Sequence, residues 1–282
     1  FYDPRRFPER AQERRNLVLG LMRDGGVLDR GQWQAAVSQS LDVIPLGHHL
    51  KGRFPAYIDK VRQELRHLIE DKTQLQNGIR VFTYFDPMAQ QAAEHAMLKR
   101  LEKLDPAIEG AAVATDYQQG ALIAIVGGRQ TQFAGYNRAI SARRQIGSII
   151  KPVVYLTALA QPKRFHLGSV LQDSPLSLKS GGNHWQPQNY DKKFRGPVSL
   201  LQSLSESLNI PTVRLGLQLG LPAIQQQLQQ LGLEREVKLR PSSLLGAVEM
   251  SPLEVAQLYQ TIANKGQYRQ LATIAAITGQ LG

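Results

Sequence analysis

Between Ala11 and Ala36 the apolar residues Leu17, Leu21 and Leu28 return at steps of one or two helical turns, and the run is broken at Asp24-Gly25-Gly26. Residues so spaced share one helix face, and paired glycines weaken helix at the break, so the pattern predicts a helix, a turn and a second helix. The Arg14-Arg15 pair reads as a solvated face. Pro45 to Pro55, with Gly47, His48-His49 and Gly52, has no period and predicts a linker. A charged amphipathic helix is expected from about Ala56 to Asp71.

The period then shortens. The segment IRVFTYF alternates β-branched and aromatic residues and predicts a strand. Asp86-Pro87 follows as an N-cap with proline at the first helical position, opening a helix to about Leu104. AAVATDYQQGALIAIVGG reads as a hairpin turning at Tyr117 to Gly120, with Gly127-Gly128 as a plain strand end, since no phosphate-loop lysine follows. Next come a helix carrying Ser148, a polar loop holding Trp185 and Asn189, a helix from about Val198 to Leu208, and an amphipathic helix from about Pro222 to Leu231 whose Gln225 to Gln230 run is its solvent face. Ser251-Pro252-Leu253-Glu254 is a capping box with proline at N1, opening a helix to about Asn264. Tyr268 to Ile277 is β-rich.

Composition narrows the classes. A chain of 282 residues, 42% hydrophobic and 20% charged, can bury a core in one or two domains. No apolar run approaches the roughly 20 residues of a membrane span, and the basic first residues do not read as a signal peptide. There is no cysteine, so disulfides, thiol nucleophiles and thiolate metal sites are excluded. The histidines (His48, His49, His67, His95, His166, His184) show no ligand spacing, and no metal or cofactor is expected. A net charge of +11 favours anionic partners. The basic residues are spread along the chain without a recognition motif, so nucleic acid is not the expected one.

One local pattern carries chemistry. Gly147-Ser148-Ile149-Ile150-Lys151-Pro152 holds the chain's single S-x-x-K. A serine hydroxyl is a weak nucleophile until a base takes its proton, and a neutral lysine amine serves. At i and i+3 the two share a helix face. Burial of Lys151 among Ile149 and Ile150 disfavours its charged form, which a general base needs. The backbone N–H of Ser148, at a helix start, suits half of an oxyanion hole. S-x-x-K alone arises about once by chance in a chain of this size. It is followed, however, by the chain's single S-x-N, Ser207-Leu208-Asn209. By themselves these residues also fit an N-cap, a surface lysine and a helix stop.

FAGYNRAISARRQIGSIIKPVVYLTAL and HWQPQNYDKKFRGPVSLLQSLSESLNIPTVRLG closely resemble the transpeptidase domain of the class A, bifunctional penicillin-binding proteins, and FYDPRRFPERAQERRNLVLGLM resembles the last helices of that family's glycosyltransferase domain. The resemblance implies an α+β, β-lactamase-like fold, an antiparallel sheet flanked by helices, truncated and preceded by a helical tail. It divides the chain into glycosyltransferase helices over 1–45, a linker region with strand and helix over 46–110, and the N-terminal part of the transpeptidase domain over 111–282. Ser148 becomes the nucleophile, Lys151 its base and Ser207 the proton relay. Asn209, Trp185 and Asn189 are implied to bind substrate, Asn209 also orienting Lys151.

The implied reaction is serine acyl transfer on D-Ala-D-Ala stem peptides, with β-lactams as mimics, in a peptidoglycan synthase that also polymerises glycan. The parent would be anchored at the periplasmic face of the inner membrane by a segment outside this chain. Anionic membrane or wall polymer suits the charge, and cell-wall synthesis proteins would bind elsewhere in the parent. The family's K-T-G triplet is absent: Lys72-Thr73-Gln74 precedes the serine, and Ile277-Thr278-Gly279 lacks the lysine. The expectation is a fragment whose K-T-G would follow Gly282. Alternatives are a non-catalytic scaffold or wall-binding module of the same fold, or a serine β-lactamase or D,D-carboxypeptidase, against which the glycosyltransferase-like head argues.

Overall fold

A computed structural model describes residues 2, 4, 7–43, 53–69, 78–180 and 183–279. They fall into two compact units, Phe1–Pro55 and Ala56–Gly282. Most of the expected linker, residues 45–52, lies outside the described residues, as does Lys72-Thr73-Gln74.

The first unit is the expected helix pair, α1 (Pro8–Asp24) and α2 (Arg30–Ser38). Gly26 stops α1 in the left-handed region, where a side chain would be strained, and its N–H returns to the Arg23 carbonyl at 3.0 Å. Asp29 and Gln32 cap α2 reciprocally, at 2.8 and 3.0 Å. Arg15 is more than a solvated residue. Its guanidinium donates to the carbonyls of Gln39 and Val37 at 2.7 and 3.1 Å, satisfying groups that the end of α2 leaves without helical partners.

The second unit opens with α3 (Pro55–Leu68), β1 (Ile79–Thr83) and α4 (Pro87–Leu101), followed by the hairpin β2 (Ala112–Asp116) and β3 (Ala121–Val126). Of the residues expected as a linker region, the described ones from Ala56 on lie within this second unit. Tyr57 of α3 donates to the Leu122 carbonyl at 2.7 Å, and Gln90 of α4 pairs with both backbone groups of Ile125 at 2.8 and 2.9 Å. Asp86 caps α4 through the N–H groups of Met88 and Ala89, as its sequence position requires.

Beyond the hairpin lie α5 (Arg138–Ser141), β4 (Arg144–Gln145), a 3₁₀ turn (Gly147–Ile150) and α6 (Lys151–Leu159). Then follow β5 (Val170–Asp173), β6 (Leu178–Ser180), β7 (Asn183–Trp185), β8 (Gly196–Ser199), α7 (Leu200–Ser205), α8 (Asn209–Leu219) and α9 (Leu221–Gln230). A second 3₁₀ turn (Pro241–Leu245), β9 (Glu249–Met250), α10 (Pro252–Ala263) and β10 (Ile274–Gly279) complete the described order. The strands pair antiparallel, β1 with β10, β2 with β3, β4 with β9, β5 with β8 and β6 with β7. Ile277-Thr278-Gly279 lies on β10, registered against Val81, Arg80 and Ile79.

Three local expectations change. The helix expected over Val198 to Leu208 is a strand first, because Gly196 at positive φ and Pro197, with φ fixed and no N–H, hold the entry extended until Ser199 caps the short α7. Trp185 stands on a strand opposite Leu178 rather than in a loop. Asn209-Ile210-Pro211, equally readable as a helix stop, starts α8, since proline in the first turn forgoes an N–H that has no helical partner there.

The core gathers around α6. Val153, Val154, Tyr155 and Ala158 are buried against Val213 and Leu215 of α8, Ile224 and Leu228 of α9, and Leu258 of α10. Each large apolar side chain so buried contributes about 1.5–3 kcal/mol. One polar chain crosses this core: the Tyr155 hydroxyl meets Ser203 at 2.6 Å and Thr212 at 2.9 Å, and Thr212 donates to the Leu208 carbonyl at 2.6 Å. Because Thr212 spends its only proton on Leu208, Tyr155 donates to Thr212 and accepts from Ser203. All three hydroxyls are satisfied, and they tie α6 to α7 and α8.

Candidate active site

Ser148 sits in the 3₁₀ turn that runs directly into α6, so Lys151 is the first residue of the α-helix. In a 3₁₀ turn residues i and i+3 eclipse, and the Lys151 N–H donates to the Ser148 carbonyl. The serine is exposed while Ile150 and Lys151 are each 1% exposed. The turn is held from several sides: Ile146 N–H donates to Val248 O at 3.1 Å, Gly147 N–H to Gly246 O at 3.2 Å, and Tyr259 Oη to Ile149 O at 2.9 Å. As a first-turn group, the Ser148 N–H has no intrahelical acceptor.

The Lys151 amino group meets the S-x-N segment. Its Nζ lies 2.5 Å from the Ser207 carbonyl, 3.0 Å from the Ser207 hydroxyl and 2.7 Å from Asn209 Oδ1. Burial lowers the Lys151 pKa to about 8 from its ordinary value near 10.5. The two carbonyl oxygens only accept, so they take two amine hydrogens in either protonation state. Towards Ser207 Oγ the ammonium donates, whereas the neutral amine presents a lone pair. The same contact thus passes a proton in either direction.

Ser207 is placed by the end of α7. Its φ is +53°, a left-handed value seldom taken by residues other than glycine. Its N–H returns to Leu204 O at 3.0 Å and that of Leu208 to Ser203 O at 2.9 Å, the paired bonds of a Schellman ending with serine where glycine is usual. The left-handed residue turns its carbonyl and hydroxyl together onto Lys151.

Behind this row lies Asn189, 4% exposed. Its Nδ2 donates to both oxygens of the buried Asp173, at 2.8 and 2.9 Å, and to Lys193 O at 2.8 Å. Its Oδ1 accepts the Asn209 N–H at 2.8 Å and that of Ile210 at 3.4 Å. The Asn209 side chain, besides its bond to Lys151, donates to Gln188 O at 2.7 Å. Trp185 is half-buried and packs against the hydrophobic core. The structure therefore brings Lys151, Ser207 and Asn209 into contact with one another, places Ser148 one turn before Lys151, sets Asn189 beneath them, and anchors Trp185 on the core. Among the described residues no group of three or more metal-ligating side chains is assembled, and no helix is long and apolar enough to cross a membrane.

The penicillin-binding protein transpeptidase domain matches residues 110–280. The chain belongs to that family. It is 42% identical to Penicillin-binding protein 1B of Vibrio cholerae over 98% of this chain and 36% of that protein, and 41% identical to Penicillin-binding protein 1B of Escherichia coli over 100% of this chain and 34% of that one. It spans about a third of the length of these relatives. Among solved structures it is similar to PonA1 of Mycobacterium tuberculosis in complex with penicillin V, with a TM-score of 0.71 at 28% identity over 81% of this chain and 63% of that one. Penicillin-Binding Protein 1A of Haemophilus influenzae, with a TM-score of 0.68 at 24% identity over 99% of this chain and 56% of that one, shares the fold.

In this transpeptidase-family chain several supporting residues escape a reading of the sequence. Asp173 lies in an ordinary strand and Gly246 follows an apolar run, so neither carries a local signal. Tyr259 sits within a helix and reaches Ile149 only through the tertiary fold. Gly147 beside Ser148 was the one available cue, as a glycine at a strand-to-helix junction.

Proposed function

We propose that this chain carries the acyl-transfer site of a D,D-transpeptidase within a bifunctional peptidoglycan synthase. The observation that carries the reading is the buried Lys151, with its pKa near 8, sharing its amino group between the Ser207 hydroxyl and Asn209 one turn from an exposed serine. Neutral Lys151 takes the proton of Ser148 as Oγ bonds to the penultimate carbonyl carbon of a D-Ala-D-Ala stem peptide. The Ser148 N–H stabilises the oxyanion. As the peptide C–N bond breaks, Ser207 delivers a proton to the leaving D-Ala amine and is reprotonated from Lys151. An amine of a neighbouring stem peptide then attacks the acyl-enzyme, and Ser148 regains its proton. Asn209 holds the substrate amide and Lys151, Asn189 contributes through Asn209, and Trp185 borders the cleft.

β-Lactams acylate the same serine. The first unit's helices belong to a glycosyltransferase domain, and the net charge of +11 suits the anionic face of the inner membrane, where the parent works on the periplasmic side. Treating the full-length protein with a fluorescent penicillin and mapping the labelled peptide by mass spectrometry tests this reading. Durable label on Ser148, lost in Ser148→Ala, is expected. Label on another serine overturns the assignment, and rapid hydrolysis of the label points to a β-lactamase instead.

A further inference from the structure

The N-terminus of α8 has an unusual cap. Its N-cap residue, Leu208, has no side-chain acceptor to offer, yet the N–H groups of Asn209 and Ile210 are met by the amide oxygen of Asn189, some twenty residues earlier in the chain. An asparagine amide fits a site in two orientations, and only one caps the helix. Here the choice is forced. Both oxygens of Asp173 and the Lys193 carbonyl are acceptors, so Nδ2 must face them and Oδ1 must face the helix. Asp173 is itself 0% exposed at the end of β5, and the Arg195 N–H, at 3.0 Å, holds its second oxygen.

On the acyl-transfer reading above, we propose that Asp173 and Asn189 are positioning residues that set the reactive geometry of Lys151 without touching substrate. Asp173 orients Asn189, and Asn189 fixes the first turn of α8. That turn carries Asn209, whose Oδ1 holds Lys151 Nζ at 2.7 Å. Asn189 is thereby reassigned from the substrate surface to the support beneath it. Misplacing a catalytic group by about 1 Å costs on the order of 100-fold in rate, which such a support exists to prevent.

Acylation by penicillin separates a binding constant from the rate of the chemical step. A residue acting through Lys151 changes the second and spares the first. In the full-length protein, Asn189→Ala is expected to slow the chemical step by roughly 10- to 100-fold with the binding constant within about threefold of wild type. The near-isosteric Asp173→Asn, which weakens the hold on the amide, shifts the same parameter by less. Circular dichroism confirms folding, and Asp173→Asn decides the matter if Asn189→Ala does not fold. A weakened binding constant with an unchanged chemical step would place Asn189 against the ligand and overturn the proposal. So would unchanged kinetics in a folded variant, or failure of both variants to fold, which would make the pair structural only. Lys151→Ala acylating at the wild-type rate would instead remove the acyl-transfer reading itself, whatever the two supports do.

Discussion

Gly147 and Gly246 meet backbone to backbone: the N–H of Gly147 donates to the carbonyl of Gly246 at 3.2 Å, and a Cβ placed on Gly246 would overlap the N, Cα and O of Gly147. Both residues have positive φ, +57° and +87°. The contact seats the turn that carries Ser148 on the residues preceding β9, and it exists only because Gly246 has no side chain.

Gly246→Ala is accordingly expected to destabilise the protein by about 2–4 kcal/mol, adding overlap with backbone to the left-handed penalty. The same change at Gly147, where a Cβ meets nothing within 4 Å, carries only the conformational cost of about 1–2 kcal/mol. Thermal unfolding of the two variants, with fluorescent-penicillin labelling as a second readout, checks the ranking. Equal effects would mean that the close approach contributes nothing.

Ser207 separates folding from chemistry. Its left-handed backbone favours glycine, so Ser207→Gly is expected to be as stable as wild type or more stable by up to about 1 kcal/mol, while Ser207→Ala gains nothing. Both lose the hydroxyl beside Lys151, and transpeptidation should fall by about 100-fold or more in each. A Ser207→Gly protein that cross-links normally would exclude the relay.

Burial of Lys151 predicts two readings of pH that rise together. Acylation needs the neutral amine and should rise with pH through about 8. For stability, the folded pKa lies below the unfolded value near 10.5, so between about 8 and 10.5 the unfolded chain binds more protons and stability rises with pH. The burial penalty is fully present below that window. Lys151→Met, similar in length and uncharged, should flatten this component of a pH series of unfolding midpoints and abolish acylation.

Glu254 links three elements. Burial pushes its pKa up, but hydrogen bonds from Arg235, the Ser251 N–H and Arg143 outweigh it and hold the carboxyl below the usual range. A depressed folded pKa gives stability that is present above the unfolded value and lost as pH falls through the folded one. Glu254→Ala should cost about 1–3 kcal/mol at neutral pH, with a smaller difference under acid, measured by urea unfolding at both.

The sequence by itself determined whatever depends on a few adjacent residues. The caps at Asp86 and at Ser251 with Glu254, the helix pair broken at Gly25-Gly26, and the hairpin turning at Tyr117 to Gly120 form where their local chemistry demands, because donors, acceptors and φ preferences lie within four residues of one another. The S-x-x-K spacing likewise set Ser148 and Lys151 one turn apart. Only the tertiary structure decided what surrounds them. Ser207 and Asn209 follow Lys151 by 56 and 58 residues, and their meeting depends on how α7 ends and how α8 packs on α6. Pairing with β5 drew Gly196 to Ser199 into a strand that local periodicity assigned partly to a helix. Asn189, which the family resemblance implies as a substrate-binding residue, is buried, and a polar side chain in a polar segment carries no mark of that burial. Its burial follows from Asp173, which supplies acceptors away from water, and long-range partners of that kind leave no period in the chain.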